Sequence, residues 1–404
     1  MDMQNKAKKL IEMIQTASVE WKPLGEVFDL KNGYTPSKSI KEYWENGSIP
    51  WFRMEDIREN GRILDSALQQ ISESAIKGGK LFPANSIIMA TSATIGEHAL
   101  ITVPFLANQR FTNLSLKPEF TDKFNIYFLY YYCFNLSEWC KKNTTTSSFA
   151  SVDMSGFKRF PIPIPPLETQ QKIVKILDKF TELEAMLEAE LALRKRQYQY
   201  YRDFLLDFDN QIGGGIADGY KGRLKDVVWK TLGEVVPISR GKRLVRSQLQ
   251  DNGQYPVYQN SLQPLGFYDN QNCRAYMTFV IAAGAAGEIG FSDIEFWAAD
   301  DCYYFDCPKE ILHDKFLYYF LLSERHQLTS QIRKASVPRL GRVSIEKIKI
   351  PIPPLPEQEK IVAILDKFDT LTHSISEGLP HEIALRRKQY EYYREQLLAF
   401  PKAA

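Results

Sequence analysis

Cysteine is scarce in this chain and shows no pairing pattern. The 404 residues include only five cysteines, an odd number without a CxxC motif: Cys133, Cys140, Cys273, Cys302 and Cys307. This usage argues against a disulfide framework or a zinc site and predicts free thiols in a reducing compartment. The first fifteen residues are charged and lack the apolar core of a signal peptide. Together these features predict a cytoplasmic protein.

Long apolar runs and a strong net charge are missing as well. The longest apolar run is the nine-residue stretch Ile126–Phe134, which is far too short to cross a bilayer. The 51 Lys and Arg residues are balanced by 49 Asp and Glu residues, so the net charge is only +2. Since no global basic field is present, any binding to nucleic acid has to come from local patches.

Motifs for catalysis are also absent. The sequence contains no GxxxxGK[ST] phosphate loop, no GxSxG elbow, no HExxH and no NPPY-type methyltransferase motif. The pair Asp300 and Asp301 is interpreted as a turn at a strand end and not as a metal site. Five scattered histidines are interpreted as surface or capping residues: His98, His313, His326, His373 and His381. A chain of this size without a catalytic constellation is predicted to be a recognition subunit that is not an enzyme and holds no metal.

The most informative positive feature is an internal repeat. The stretch IPIPPLETQQKIVKILDKF at 162–180 returns as IPIPPLPEQEKIVAILDKF at 350–368, with fifteen of nineteen positions identical. VEWKPLGEV at 19–27 and RKRQYQYYRDFLLDF at 194–208 return in the same order further along the chain. The chain therefore consists of two copies of one unit.

The two copies share their conserved stretches in the same order and differ in the sequence between those stretches. Each copy runs from a WKxLGEV entry through a divergent region and a proline elbow to a helix. The prediction has an N-terminal helical segment at 1–20, two recognition domains, two conserved helical regions and a Gly-rich linker. Their ranges are 21–161 and 229–349 for the domains, 162–210 and 350–404 for the helical regions, and 211–228 for the linker. Two domains of one fold could carry out the same kind of recognition on two different ligands.

Apolar residues after each elbow recur at steps of three and four, which predicts long helices with one apolar seam. The first helix is expected over 168–208 and the second to break near Gly378 and Pro380. The alternating prolines are expected to follow an extended path and to stop strand structure before each helix. The predicted fold class is therefore α+β. It has two similar domains of short strands plus a buried helix, joined by two long antiparallel helices in a pseudo-twofold coiled-coil rod.

Basic and amide side chains cluster in turn-like stretches of both domains. Arg, Asn and Gln are the residues that make bidentate contacts to base edges, and Lys and Arg contact phosphates. Any single stretch could equally be a solvated loop, but together they favour DNA contact. The candidates are Arg53, Asn108, Gln109, Arg110, Lys141, Lys142, Thr145, Ser147, Arg240, Lys242, Arg243, Arg246, Gln259, Asn260, Ser261, Lys334, Arg339 and Arg342.

With these motifs, the chain resembles the specificity subunit of bacterial type I restriction–modification enzymes over nearly its full length. The resemblance lies in the duplicated WKxLGEV, IPIPPL and QYxYYR stretches and in the segments YPVYQNS and FWAADDCYYF. It implies that each domain reads one half of a bipartite, asymmetric target in double-stranded DNA. It also implies that the helices act as a spacer and dock methyltransferase subunits.

The resemblance also implies partners and where their cofactors lie. The expected partners are DNA, two methyltransferase subunits and, through the complex, motor-nuclease subunits, with no membrane. S-adenosylmethionine, ATP and Mg are expected on those partners and no cofactor in this chain. Candidates for the subunit interface are Ile173, Phe180, Tyr198, Tyr201, Arg202, Phe368, Tyr390, Tyr393 and Arg394. The alternative is an adaptor that does not bind DNA, in which a coiled coil holds two protein-binding modules.

Overall fold

The computed structural model describes residues 3–145, 150–208, 227–333 and 336–401. These residues form two compact units. Unit 1 comprises residues 1–186 and 384–404, and unit 2 comprises residues 187–383. The predicted linker at 211–228 lies almost entirely outside the described residues.

Unit 1 is built from a five-stranded sheet, a three-stranded sheet and a two-stranded ribbon. The five-stranded sheet has the order β2-β9-β6-β7-β4, the three-stranded sheet β5-β3-β8, and the ribbon β1-β10. The strands are β1 Glu20–Pro23, β2 Phe28–Asn32, β3 Ile49–Phe52, β4 Ile63–Leu64, β5 Gln70–Ile71, β6 Ser86–Ala90, β7 His98–Ile101, β8 Leu106–Ala107, β9 Phe111–Leu116 and β10 Pro161–Ile164. The helices are α1 Met3–Gln15, α2 Leu24–Val27, α3 Met54–Asn60, α4 Ile126–Lys142 and α5 Met154–Arg159.

Unit 2 repeats this plan with fewer strands. A four-stranded sheet has the order β12-β18-β15-β16, a three-stranded sheet has β14-β13-β17, and β11 pairs with β19. The strands are β11 Val228–Thr231, β12 Ile238–Arg240, β13 Tyr255–Tyr258, β14 Gly266–Tyr268, β15 Met277–Ile281, β16 Ile289–Ser292, β17 Trp297–Ala298, β18 Cys302–Phe305 and β19 Lys349–Ile352. The helices are α7 Leu232–Val235, α8 Asp314–Ser323, α9 Arg325–Ser330 and α10 Arg342–Glu346.

The strands end before each helix at the paired prolines 165–166 and 353–354, as expected, but the earlier elbow prolines Pro163 and Pro351 lie within strands, which was not expected. In unit 1, β10 pairs antiparallel with β1 and sets Pro163 opposite Trp21, and in unit 2 β19 sets Pro351 opposite Trp229. A proline has no N–H to donate to a ladder. Because the hydrogen-bonded positions of an antiparallel pair alternate, the residues between the prolines are sufficient to hold each short ribbon.

Three long helices follow the elbows. The first, α6, runs from Leu167 to Leu206 without interruption, close to the predicted range. The second region is broken as predicted, into α11 Leu355–His373 and α12 Gly378–Leu397. The break precedes Gly378, which has a φ of +76° and whose Cβ would lie 2.4 Å from the Thr370 carbonyl oxygen. Glycine is required there, while Pro380 sits in the first turn of α12, where its missing N–H costs nothing.

The helices pack antiparallel within each unit. In unit 1, Phe180 of α6 stacks on Tyr393 of α12 with ring centroids 5.2 Å apart, and Arg387 pairs with Glu184. In unit 2, Tyr201 of α6 stacks on Phe368 of α11 at 5.4 Å. Aromatic pairs in this geometry add to the area buried along the seam. Within the part of the chain that the structure describes, none of the helices qualifies as a membrane span.

Candidate nucleic-acid interface

One edge of each unit is held by the same backbone hydrogen bonds. In unit 1 the Asn108 N–H donates to the Phe52 carbonyl at 3.0 Å, and in unit 2 the Ala299 N–H donates to the Tyr258 carbonyl at 2.9 Å. We call this region the loop edge. It comprises residues 53, 91–96, 108–110, 144–145 and 151–152 in unit 1, and 259–261, 282–287, 299–301, 333 and 339–340 in unit 2.

Further bonds connect the loops of this edge in the same way in both units. The Thr91 N–H donates to the Arg110 carbonyl, as the Ala282 N–H does to the Asp301 carbonyl. The Val152 N–H donates to the carbonyl of Thr91, and in unit 2 Leu340 makes the equivalent bond to Ala282. The backbone hydrogen bonds that hold the loop edge are therefore repeated in both units, although the loop sequences differ.

Two equivalent glycines allow the chain to pass close to this edge. A Cβ on Gly33 would lie 2.3 Å from the Ala107 carbonyl oxygen, and a Cβ on Gly241 would lie 2.4 Å from that of Ala298. Both distances are far below van der Waals contact with backbone atoms that cannot move aside. Glycine is thus required at each position so that the preceding strand can lie against the loop edge.

The side chains on this duplicated scaffold differ between the units. Phe52 pairs with Ala107 in unit 1, and Tyr258 pairs with Ala298 in unit 2. Arg53 and Gln259, which follow Phe52 and Tyr258, therefore occupy equivalent positions. By the same register, Gln109 corresponds to Asp300, and Arg110 corresponds to Asp301. A common frame that carries different hydrogen-bonding groups suits the reading of two different sequences.

The structure brings most of the candidate DNA-binding residues of unit 1 to one place. Arg53, Asn108, Gln109, Arg110 and Thr145 lie on the loop edge, and all except the half-buried Arg53 and Asn108 are exposed. The exposed Lys141 and Lys142 end α4, and a Cβ on Gly96 would lie 3.2 Å from the Lys141 Cε. Ser147 lies outside the described residues.

In unit 2 the candidates lie on the loop edge or in the segments next to it. Gln259, Asn260, Ser261 and Arg339 belong to the loop edge, and Lys242 donates its backbone N–H to Ala298 beside it. Arg240, Arg243 and Arg246 follow along one exposed segment, and exposed Arg342 begins α10 and pairs with Glu346 at 2.7 Å. Lys334 lies outside the described residues. The contacts of these side chains with DNA stay a prediction.

A cavity of about 400 Å³ opens beside Arg53 in unit 1. Trp44 and Trp51 meet edge to face in its wall, with ring centroids 5.0 Å apart. The Arg53 guanidinium carbon lies 5.6 Å from the Trp51 ring centroid. The remaining lining residues are Lys38, Lys41, Glu45 and Gln69. An aromatic and cationic wall of this kind can contact both bases and phosphates.

The histidines follow the sequence interpretation with one exception. His313 caps α8, since its Nδ1 accepts the Lys315 N–H at 3.2 Å. His98, however, is only 1% exposed and packs against Phe134 at 4.6 Å, so its interpretation as a surface or capping residue was wrong. Burial and the nearby Arg62 guanidinium lower the pKa of His98 from 6.5 to about 3. The imidazole is therefore neutral and belongs to the core.

The acidic pair and the cysteines also have structural positions. Asp300 and Asp301 form the turn between β17 and β18, as interpreted. Among the described residues, no group of three or more His, Cys, Asp or Glu side chains could hold a metal. All five cysteines are free and buried, which raises the pKa of Cys140 and of Cys273 to about 12 and leaves these thiols unreactive.

The candidates for a subunit interface divide by exposure. Ile173, Phe180, Tyr198 and Tyr393 are buried within their own units and offer little surface to another chain. Arg394 lies 4.2 Å from the Phe134 ring centroid and next to Tyr390, and Arg202 contacts Tyr198. Phe368 is half-buried, and Tyr201 is 37% exposed. The interface role stays a prediction for all of them.

Sequence reasoning missed a buried glutamine near the start of the helix that follows each elbow. Gln170 is fully buried, accepts the Asn125 N–H at 2.8 Å and donates to the Lys123 and Pro165 carbonyls. Gln358 makes the same three bonds in unit 2, to His313, Ile311 and Pro353. Each glutamine therefore ties its helix to the elbow and to the segment that begins α4 in unit 1 or α8 in unit 2. The sequence did offer one indication of this role, because glutamine occupies the same position in both copies of the repeat.

A second repeated contact joins α4 to α6 in unit 1 and α8 to α11 in unit 2. The Tyr131 hydroxyl donates to Asp178 at 2.6 Å, and the Tyr319 hydroxyl donates to Asp366 at 2.6 Å. Burial raises the pKa of both phenols, so each remains a proton donor. Both carboxylates belong to the repeated ILDKF stretch and fix the rotation of the helix after each elbow.

Comparison with known proteins gives consistent results. The model of the family "Type I restriction modification DNA specificity domain" matches residues 18–193 and 225–385. The Type I restriction enzyme EcoprrI specificity subunit of Escherichia coli is 46% identical over 91% of this chain and 92% of its own length. The EcoR124I/EcoR124II specificity subunit of the same species is 30% identical over 97% of each chain.

Solved structures show the same fold. The S subunit of a type I system from M. genitalium matches with a TM-score of 0.56, at 18% identity, over 96% of this chain and 98% of that one. A chain from a study of complex assembly and conformational transition of the type I R-M system matches with a TM-score of 0.65. It is 16% identical, over 95% of this chain and 98% of that chain.

Proposed function

Since the chain belongs to the type I restriction–modification DNA specificity family, we propose that its two units read the two halves of a split DNA target. The membership confirms the predicted family and fold class. The chain is a DNA specificity subunit and not the catalytic part of its complex, and the adaptor alternative finds no support among the relatives. Its partners are DNA and the other subunits of the restriction–modification complex.

The duplicated loop edge is the observation that carries this proposal. Equal backbone frames with Arg110 in one unit and Asp301 in the other present different groups at the same position. Arginine recognises guanine, whereas aspartate accepts a hydrogen bond from cytosine. One recognition frame used twice with different side chains is what a target with two unlike halves requires.

Exchange of one recognition region tests the proposal. Residues 21–161 are replaced by the matching region of the EcoprrI relative, and the chain is expressed with its modification subunits in cells. Sequencing that detects methylated bases across the genome then gives the motif. We expect one half of the motif to change and the other half to remain. A change in both halves would show that the units are not independent readers.

The helices supply the proposed docking sites for the modification subunits. Tyr200 of α6 and Tyr392 of α12 occupy equivalent positions in the two QYxYYR stretches, one in each unit, and each is 58% exposed. Exposed tyrosines are common anchors at protein interfaces. Two equivalent sites favour two modification subunits for each chain. S-adenosylmethionine, ATP and Mg²⁺ are proposed to bind to the partner subunits.

Native mass spectrometry tests this stoichiometry. We expect the wild-type chain to carry two modification subunits, and Tyr200→Ala or Tyr392→Ala to carry one. Leu193→Ala removes a side chain that is also 58% exposed on α6 and serves as the control. Two bound subunits in both tyrosine variants would place the docking sites elsewhere.

A further inference from the structure

Arg53 and Gln259 occupy the same position on the two loop edges. Each follows the last residue of a central strand, β3 or β13, whose final carbonyl accepts the N–H of the neighbouring loop. The strand sequences GSIPWF and GQYPVY share only the glycine and the proline, yet both end at this position. Arg53 and Gln259 therefore present different side chains from equivalent backbone positions.

The backbone at Arg53 is fixed by a buried carboxylate. The Arg53 N–H donates to Asp56 Oδ2 at 2.7 Å, and the Leu68 N–H donates to Asp56 Oδ1 at 2.6 Å. Asp56 is fully buried; one of its oxygens holds the residue after β3 to the first turn of α3, and the other holds the segment between β4 and β5. The side chain of Arg53 thus begins from a rigid position.

The guanidinium of Arg53 is positioned but not neutralised. It lies over the Trp51 ring, whose indole N–H donates to the Tyr34 carbonyl at 3.0 Å and which also contacts Trp44. Among the described residues, Arg53 has no ion pair, and its Nε has no hydrogen-bond partner. A preordered guanidinium loses little conformational entropy when its remaining N–H groups bind an acceptor.

Gln259 is held in a comparable way. Its carbonyl and that of Tyr258 accept weak hydrogen bonds from the Cys302 thiol at 3.2 Å and 3.3 Å. Asn260, which follows, accepts the Ala285 N–H at 2.9 Å and so connects the strand end to the tight loop at 282–287. Gln259 itself is half-buried beside this frame, and its side-chain amide has no hydrogen bond to another described residue.

We propose that Arg53 reads a guanine in one half-site and that Gln259 reads an adenine at the corresponding position of the other. Arginine binds guanine O6 and N7 with two donors, and glutamine pairs with the donor N6 and acceptor N7 of adenine. This inference rests on the proposed function and names two residues that determine specificity. If Arg53 contacts phosphate instead, its loss weakens all sequences equally.

Exchange of the two side chains is the direct test. Arg53→Gln is expected to convert one guanine of the methylated motif to adenine, and Gln259→Arg to convert one adenine of the other half to guanine. Arg159→Gln, at the exposed C-terminal end of α5, makes the same charge change outside the loop edge and should leave the motif unchanged. An unchanged motif in both exchange variants, with wild-type methylation, would overturn the proposal.

Binding to modified duplexes decides the case in which an exchange variant does not methylate. Each guanine of the target is replaced in turn by 7-deazaguanine, which lacks the N7 acceptor, and binding to the assembled complex is measured. We expect at least one replacement to weaken wild-type binding roughly tenfold to a hundredfold. The Arg53→Ala complex should be indifferent to one of the replacements to which the wild type responds.

The same measurements separate this inference from the proposed function. If Arg53→Ala responds to every replacement as the wild type does, Arg53 reads no guanine, although the two units can still be readers. If the wild-type complex methylates no split motif at all, the proposed function itself fails.

Discussion

Acid should destabilise unit 1 through one buried histidine that unit 2 lacks. His98 follows Gly96 and Glu97 in the hairpin of β6 and β7, and the equivalent residue after Gly287 and Glu288 is Ile289. Both are buried, at 1% and 3% exposure. The Nε2 atom of His98 has no partner among the described residues, so a proton placed there would be charged and unsatisfied.

The magnitude follows from the pKa of the ring. Burial lowers it from 6.5 in the unfolded chain to about 3 in the folded one. Above pH 6.5 both states are neutral and the effect is absent. As the pH falls below 6.5, only the unfolded chain binds the proton, so the free energy of unfolding falls by about 1.4 kcal/mol for each pH unit. Between pH 6.5 and pH 5 the loss is about 2 kcal/mol.

The variant His98→Ile isolates this contribution, because the chain itself places isoleucine at this position in unit 2. Urea unfolding of the wild type and of the variant is followed between pH 7.5 and pH 5, with His326→Gln as an exposed control. We expect the difference in unfolding free energy between wild type and His98→Ile to change by about 2 kcal/mol over this range. A difference that does not vary with pH would refute the account of a buried neutral ring.

Other predictions concern the elbows, the salt dependence and the spacer. Gln170→Leu leaves one N–H and two carbonyls unsatisfied and should cost unit 1 about 3–5 kcal/mol in urea unfolding, with Gln358→Leu acting equally on unit 2. A cost below about 1 kcal/mol would show that the three bonds are not needed. DNA binding by the complex should weaken by about 10³–10⁵ between 50 and 200 mM salt, as expected for six to ten phosphate contacts. A salt-independent affinity would mean that phosphates contribute nothing. Insertion of four residues beside Glu184 lengthens α6 by about 6 Å and should add one or two base pairs to the spacer of the methylated motif. An unchanged spacer with full activity would show that the helix does not set the distance.

The repeat explains why much of the fold could be predicted from the sequence. The two copies acted as an alignment of the chain with itself, so the shared seam predicted α6. Gly378 and Pro380, where the second copy departs from the first, predicted the break before α12. The same comparison could not reveal the partners of Gln170 or Asp178, because hydrogen bonds to distant carbonyls and hydroxyls leave no periodic pattern. It also did not place Pro163 in a strand, since local propensity gave no sign that β1 pairs with β10.

The loop edge was only partly predictable for a different physical reason. Basic and amide residues in turn-like stretches singled out Arg53 and Gln259 separately. Their equivalence depends on the register of β3 with β8 and of β13 with β17, which the divergent sequences hide. His98 was misjudged because a single polar residue within a short strand does not show which face it occupies.

The central claim is that each recognition region reads its half-site independently of the other. A chain in which residues 229–349 are replaced by a second copy of 21–161 tests this claim most directly. Both regions begin with Trp-Lys and end before Ile-Pro, so the junctions are matched. Genome-wide mapping of methylated bases should then give a motif in which the unit 1 half-site occurs twice. Persistence of the original two unlike halves would contradict the claim.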